Sequence, residues 1–239
     1  MNAQQLFKAG KLSEAISALN ENLRNDPSDN KNRTFLFELL SFAGEYDRAE
    51  KQLDLLEGAS KDAMLGALLY RGALNAERTR REMFDQKNFP SASSPKPVRG
   101  KLNNKEFQNI SDADERIGPR LEIFAAGDYL WIAFEDIASI EIEPPKRLRD
   151  LLWIPAKLKT GPSFRSRELG EVLIPAVSPL SSQHPEDEVR LGRVTEWCED
   201  EAGEVAPFGQ KTLLVDGEEV PVLEIRQLEI YAQPDAVTA

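Results

Sequence analysis

The 239-residue chain contains one histidine, His184, and one cysteine, Cys198. So small a set builds no disulfide, no iron–sulfur cluster and no zinc site of the His/Cys kind, all of which draw on several such side chains. A Ser–His–Asp triad or a Cys–His dyad would have to run through His184 alone. No apolar run approaches the roughly 20 residues of a membrane-spanning helix. The opening residues MNAQQLFKAGKLSEA lack the apolar stretch and cleavage site of a signal peptide. Gly-x-Gly-x-x-Gly, P-loop and Gly-x-Ser-x-Gly patterns are all missing. Positive charge is short as well: 30 Lys+Arg stand against 41 Asp+Glu, a net of −11. That balance opposes bulk attraction to nucleic acid or to an anionic membrane. The expectation is a reduced, cytoplasmic protein with no catalytic residues, cofactor or metal, and with neither nucleic acid nor membrane as partner.

What the chain does have is 41% apolar residues, including 11 Phe and 3 Trp, enough for a core. The charge divides it into pieces. Residues 1–88 are near neutral at −1, residues 89–110 carry +3, and everything after residue 110 carries −13. The predicted organisation is a helical domain over 1–88, a Pro/Ser-rich linker over 89–110, an acidic β-rich domain over 111–232 and a flexible tail over 233–239.

The first piece has helical periodicity. Leu12, Ala15, Ile16, Leu19 and Leu23 share one face, and Phe35, Leu36, Leu39, Leu40 and Ala43 share another. Leu65, Leu68, Leu69, Gly72, Ala73 and Ala76 follow the i, i+3, i+4, i+7 template in a long third segment, whose small residues would admit a close neighbour. Asp47 and Glu50 have capping-box spacing. Ala9-Gly10-Lys11-Leu12-Ser13-Glu14-Ala15 aligns with Ala43-Gly44-Glu45-Tyr46-Asp47-Arg48-Ala49 at an offset of 34, the tetratricopeptide period, with Pro27 in the closing position. Each such unit is a helix pair that buries its apolar face only by stacking.

The last piece is β-rich. Tyr129–Phe134 and Ile137–Ile142 are dense in β-branched and aromatic residues, the second stopping at Pro144-Pro145. Asp216-Gly217, between Lys211–Val215 and Val220–Ile230, signals a hairpin. Neither parity of the final strand is cleanly apolar, which implies a bulge or pairing on both faces. Leu151–Ile154, Val172–Ile174 and Leu191–Trp197 are further strand candidates. The fold class is therefore α+β: a tetratricopeptide-like helical repeat followed by a bent sheet or partial barrel.

Candidate chemistry is thin. A calcium loop counted from Asp112 would need an oxygen donor where Arg116 stands, glycine at Ile117 and glutamate at Ile123. The carboxylates there are read instead as turn caps or partners of Arg116 and Arg120. His184 sits in a polar, proline-bearing loop. Cys198 is read as a sheet-edge residue, and the acids from Glu199 to Glu204 as a solvated turn.

Several blocks together resemble the ImpE (TagJ) family: Asp112-Ala113-Asp114-Glu115-Arg116-Ile117-Gly118-Pro119, Tyr129-Leu130-Trp131-Ile132-Ala133-Phe134, and Glu143-Pro144-Pro145 with Leu148-Arg149-Asp150-Leu151 and Trp153. Arg190–Trp197 and Leu223-Glu224-Ile225-Arg226 look like later blocks of the same family. The resemblance implies a cytoplasmic, non-catalytic adaptor of the bacterial type VI secretion system. Its partner would be the N-terminal helix of the small sheath subunit, TssB (VipA), and it would act around sheath assembly or recycling by the ClpV ATPase. A helix-in-groove contact needs an apolar concave surface with a polar rim. In the tetratricopeptide register the concave positions include Gln4, Phe7 and Lys8 in repeat one and Lys31, Thr34, Glu38, Ser41 and Phe42 in repeat two. Phe7 and Phe42 would anchor the partner, and Lys8, Lys31 and Glu38 would set its register. Two alternatives stand beside this. A carboxylate-dependent enzyme would show a cleft with two facing acids of shifted pKa. A permanent structural component would stay with assembled sheaths.

Overall fold

The computed structural model describes residues 1–58, 60–90, 96–162, 164, 169–199 and 203–231. The predicted tail, residues 91–95 of the predicted linker and most of the acid cluster after Glu199 lie outside the described residues. The chain groups into two compact units. One holds residues 1–88 with 126–129 and 177–210; the other holds 89–125, 130–176 and the residues from 211 onward.

The helical unit begins with α1 (Ala3–Lys8), α2 (Leu12–Asn25), α3 (Asn30–Phe42), α4 (Tyr46–Glu57) and α5 (Lys61–Asp85). Asn2 and Gln5 form a capping box on α1, and Asp29 and Ser60 cap α3 and α5 through their side chains. The α1 and α3 ends are matched. Gly10 (φ +77) donates to the Phe7 carbonyl and Lys11 to Leu6; Gly44 (φ +69) donates to Ser41 and Glu45 to Leu40. Both are Schellman endings, and the left-handed residue they need is glycine each time. This is the physical content of the offset of 34. Asp47 is not a cap: the α4 N-cap is Glu45, and Asp47 and Glu50 both accept from Arg78 of α5, at 2.8 and 2.7 Å. Arg71 ties α5 to α4 in the same way, through Asp54 and Glu57. Leu12, Ala15, Ile16 and Leu19 of α2 and Leu36, Phe37, Leu39 and Leu40 of α3 form buried faces.

The sheet unit opens with β1 (Gly100–Leu102), β2 (Lys105–Phe107), β3 (Ile110–Asp112), β4 (Arg120–Ala125), β5 (Asp128–Ala133), β6 (Ile137–Ile142), β7 (Trp153–Thr160) and β8 (Gly170–Pro175). Two of these strands fall inside the Pro/Ser-rich stretch that composition marks as linker. The chain then contributes α6 (Asp187–Arg190), β9 (Thr195–Glu199) and β10 (Val205–Gly209) to the helical unit, where β9 and β10 pair antiparallel. It returns to the sheet unit as β11 (Thr212–Val215), β12 (Glu218–Pro221) and β13 (Gln227–Ile230). Eight strands form one sheet in the order β2-β1-β13-β6-β7-β8-β4-β5, and β12-β11-β3 form another.

The local signals hold where turn chemistry fixes them. Asp216 (φ +50) and Gly217 (φ +89) make the β11–β12 turn, and both residues have the positive φ of a two-residue hairpin loop. The Asp216 carboxylate also accepts the Gln108 and Asn109 N–H groups at 2.9 and 2.8 Å. The mixed parity of Val220–Ile230 has a simpler cause than a bulge. The strand ends at Pro221, a 3-10 turn follows over Val222–Glu224, and β13 joins the other sheet. A bulge does occur in β6, where the register against β7 shifts between Ile137 and Ser139. It lets Ile137, Ile140 and Ile142 all face the core. That core also gathers Ile123, Phe134, Ile154, Leu158, Ile174 and Leu228. The predicted strand Leu191–Trp197 is shorter. Residues 187–190 are helical, Gly192 (φ +63) ends the helix, and pairing starts at Thr195.

Candidate partner-binding surface

The five residues placed on a concave groove do not share one environment. Lys8 and Lys31 are exposed and Phe7 is half-buried. Phe42 and Glu38 are 2% and 8% exposed, so the described surface does not present them to a partner. Phe7 packs edge-on against Phe35, with ring centroids 5.7 Å apart. The Arg193 guanidinium lies 4.9 Å from the centre of the Phe7 ring. Arg193 also donates to the carbonyls of Phe7 and Lys8, which end α1. The face that carries Phe7 and Lys8 is thus partly occupied by the chain's own later residues.

Further contacts of this kind run along the same unit. Asp187 accepts from the Ser13 N–H at 3.0 Å and from its hydroxyl at 3.3 Å. A side chain on Gly10 would meet Glu188, and one on Gly44 would meet Arg81 and Ser182. Arg81 donates to the Gly44 carbonyl and the Ser182 hydroxyl, and stacks over Tyr46 at 4.5 Å. Arg80, buried, reaches the Val177 carbonyl at 3.0 Å and Glu77 at 3.5 Å. Burial first, and then the Glu77 carboxylate, push the Tyr46 hydroxyl far above its ordinary pKa. The C-terminal half of α5 is therefore a buried polar seam. Gly72 lies against Gly127, where an added Cβ would come within 3.1 Å of the backbone, and Asn75 donates to the Gly127 carbonyl.

The N-terminal half of α5 is different. Leu65, Leu68 and Leu69 are 61%, 67% and 52% exposed, with Met64 beside them and Leu55 of α4 at 61%. The periodicity that predicts a buried stripe is right about the helix but only half right about burial: Ala73 and Ala76 are inside, and the leucines before them are not. A cluster of large exposed aliphatics on one helix is what a docking face looks like. Its rim is charged, with Lys61, Asp62 and the Arg71–Asp54–Glu57 group.

In the sheet unit Asp112, Asp114 and Glu122 have charged or backbone partners. Asp114 holds Arg116 with two bonds, at 2.8 and 2.6 Å, and Asp112 accepts the Asp114 N–H at 3.0 Å, as a turn-capping role requires. Lys211 lies between two carboxylates, 2.5 Å from Asp112 and 2.6 Å from Glu122, and all three side chains are sealed at 1% exposure or less. Burial, aided by the Glu122 charge and opposed by Lys211, raises Asp112 to about 6. Two facing acids, one of them with a raised pKa, do exist here, then, but both side chains are sealed from solvent.

A family model described as "ImpE protein" matches residues 104–229, more than half of the chain. The chain belongs to the ImpE family. The matched span takes in the Asp112–Glu122–Lys211 cluster and the α6–β10 segment, while α1–α5 precede it. A Pseudomonas aeruginosa PAO1 protein named type VI secretion system accessory component TagJ is 29% identical, over 96% of this chain and 91% of its own length. A crystal structure of protein VPA1032 from Vibrio parahaemolyticus shares the fold with a TM-score of 0.83 at 20% identity, over 97% of this chain and 98% of that one. That likeness in fold extends over the helices as well as the matched span. No described helix is long and apolar enough to cross a membrane.

Proposed function

We propose that this ImpE protein is a non-catalytic, cytoplasmic accessory of a bacterial type VI secretion system. It holds the N-terminal helix of the small sheath subunit TssB (VipA) around sheath assembly or ClpV-dependent recycling. The observation that carries the reading is the near end-to-end likeness to the Pseudomonas accessory component TagJ. Physical support comes from the helical unit. Two helix pairs with matched Schellman turns are compatible with a short tetratricopeptide-like array, and the α5 leucines offer an apolar face, exposed among the described residues, with a charged rim. An amphipathic helix docks on such a face through anchors at i, i+3, i+4 and i+7. The Phe7, Lys8 and Lys31 face is the second candidate. Glu38 and Phe42 could join it only if their cover moved.

The test is fluorescence anisotropy with a labelled peptide of the sheath subunit's N-terminal helix and the full chain. Saturable binding is expected in the micromolar range, about −8 kcal/mol. Leu65→Asp with Leu68→Asp should weaken it at least tenfold, and Phe7→Ala with Lys31→Glu much less. The reverse ranking would move the site to the first-repeat face. No saturation by about 100 μM, on the order of −5 kcal/mol, would overturn the partner assignment.

A further inference from the structure

The chain's one histidine and one cysteine are not scattered. His184 Nε2 lies 3.9 Å from Cys198 Sγ and 3.4 Å from Glu196 Oε2. Donor atoms of the three side chains all fall within 4.8 Å of one another. The fold arranges this with ordinary means. Glu196 and Cys198 alternate along β9, so they share one face of the strand. His184 follows a 3-10 turn, Ser181–Gln183, and its N–H donates to the Ser181 carbonyl at 3.1 Å. The Ser181 hydroxyl donates to Ser178 and accepts from the Gly209 N–H, both at 2.7 Å, which pins the turn to the end of β10. The imidazole leans on Phe208, the residue paired with Glu196 across the ribbon, at 5.8 Å between ring centres. Its side chain is only 9% exposed, while Glu196 is 49% exposed.

We propose that His184, Glu196 and Cys198 form a three-ligand site for one zinc-class divalent cation. Zinc bonds to nitrogen, oxygen and sulfur run about 2.0–2.3 Å, which makes tetrahedral edges of about 3.3 Å between N and O and about 3.6 Å between N and S. The observed separations of 3.4 and 3.9 Å approach those edges without an ion's help. A neutral imidazole, a thiolate and a carboxylate bring two negative charges, balancing a divalent ion. The imidazole–thiolate pair selects Zn2+ or Co2+ over Mg2+ and Ca2+, which want oxygen. Three protein ligands leave a fourth position, on the exposed side next to Glu196, for water or for a donor from another molecule.

One bond competes. The Glu186 N–H donates to His184 Nδ1 at 3.2 Å, which keeps the imidazole proton on Nε2, the atom the metal would take. Binding therefore moves that proton to Nδ1 and turns the Glu186 N–H away, at the cost of one long, exposed hydrogen bond. Composition alone argues against a His/Cys site because such sites are counted in multiples. A mixed site needs one of each and a carboxylate, and folding supplies the third ligand. The proposal is independent of the secretion-system reading.

The test is a titration of the metal-stripped full chain with Co2+, followed by Zn2+. One equivalent of Co2+ should give a thiolate-to-cobalt charge-transfer band and the visible bands of tetrahedral cobalt, and Zn2+ should bleach both. Cys198→Ser should lose the charge-transfer band, and Glu196→Gln, a half-exposed and isosteric change, should weaken Zn2+ binding at least tenfold with the circular dichroism unchanged. Mg2+ should not compete. Absence of the charge-transfer band, or Zn2+ binding as strong in the Cys198→Ser and Glu196→Gln proteins as in the unaltered chain, would overturn the site and leave only loose binding to surface carboxylates.

Discussion

Asp187 caps the first turn of a helix from 174 residues away: its carboxylate accepts the N–H of Ser13, in α2, at 3.0 Å. The α2 N-cap residue, Lys11, makes no side-chain cap of its own. The missing acceptor thus comes from α6, and Arg190 holds it in place at 2.9 Å.

Asp187→Ala should therefore cost about 1 kcal/mol, the usual worth of a capping side chain. Asp187→Asn, which keeps an acceptor, should recover most of it. Urea unfolding curves of the three proteins check this; equal midpoints would show that the contact contributes nothing.

Gly44→Ala should destabilise by at least about 1 kcal/mol, because the residue sits at positive φ. The added methyl would also displace the Arg81 guanidinium and Ser182. Gly58→Ala is the internal control, since that glycine has negative φ and nothing near its Cβ position. It should be neutral or slightly stabilising in the same measurement.

Lys211→Met should cost about 3–5 kcal/mol, because it leaves Asp112 and Glu122 buried without their cation. The pH dependence has a definite sign. Asp112 is raised from 3.8 to about 6, so between those values the folded chain holds a proton that the unfolded chain has released. Stability from this group is present below about pH 4 and is lost as pH rises through about 6. Asp112→Asn should remove that component, flattening the difference in unfolding free energy across this window.

Leu68→Asp should leave stability within about 0.5 kcal/mol, since the side chain is 67% exposed. Phe42→Asp, at 2% exposure, should unfold the helical unit. Thermal melts separate the two, and only the first variant is informative about partner binding.

The sequence is most readable where one residue's chemistry decides the backbone. Gly10 and Gly44 mark helix ends that need positive φ, and Asp216-Gly217 marks a turn that does. The β6 strand stops where Pro144-Pro145 forbids pairing. What could not be read depends on partners far along the chain. Nothing local says that Asp187 completes α2, that Arg193 covers Phe7, or that β9 carries the two side chains converging on His184. The α5 leucines show the same limit from the other side. Periodicity finds the stripe, but only the neighbours decide which half is covered.

The helical unit is written in three separated stretches, and the last closes it. During synthesis the α2 N-terminus and the Phe7 carbonyl emerge long before Asp187 and Arg193 exist. At roughly 5–20 residues per second, the 174 residues between Ser13 and Asp187 take about 9–35 seconds to make. For that interval the nascent helices carry their apolar faces without the segment that finishes them. A ribosome stalled before residue 187 would hold an incomplete, protease-sensitive helical unit, although every one of its first five helices had already been translated.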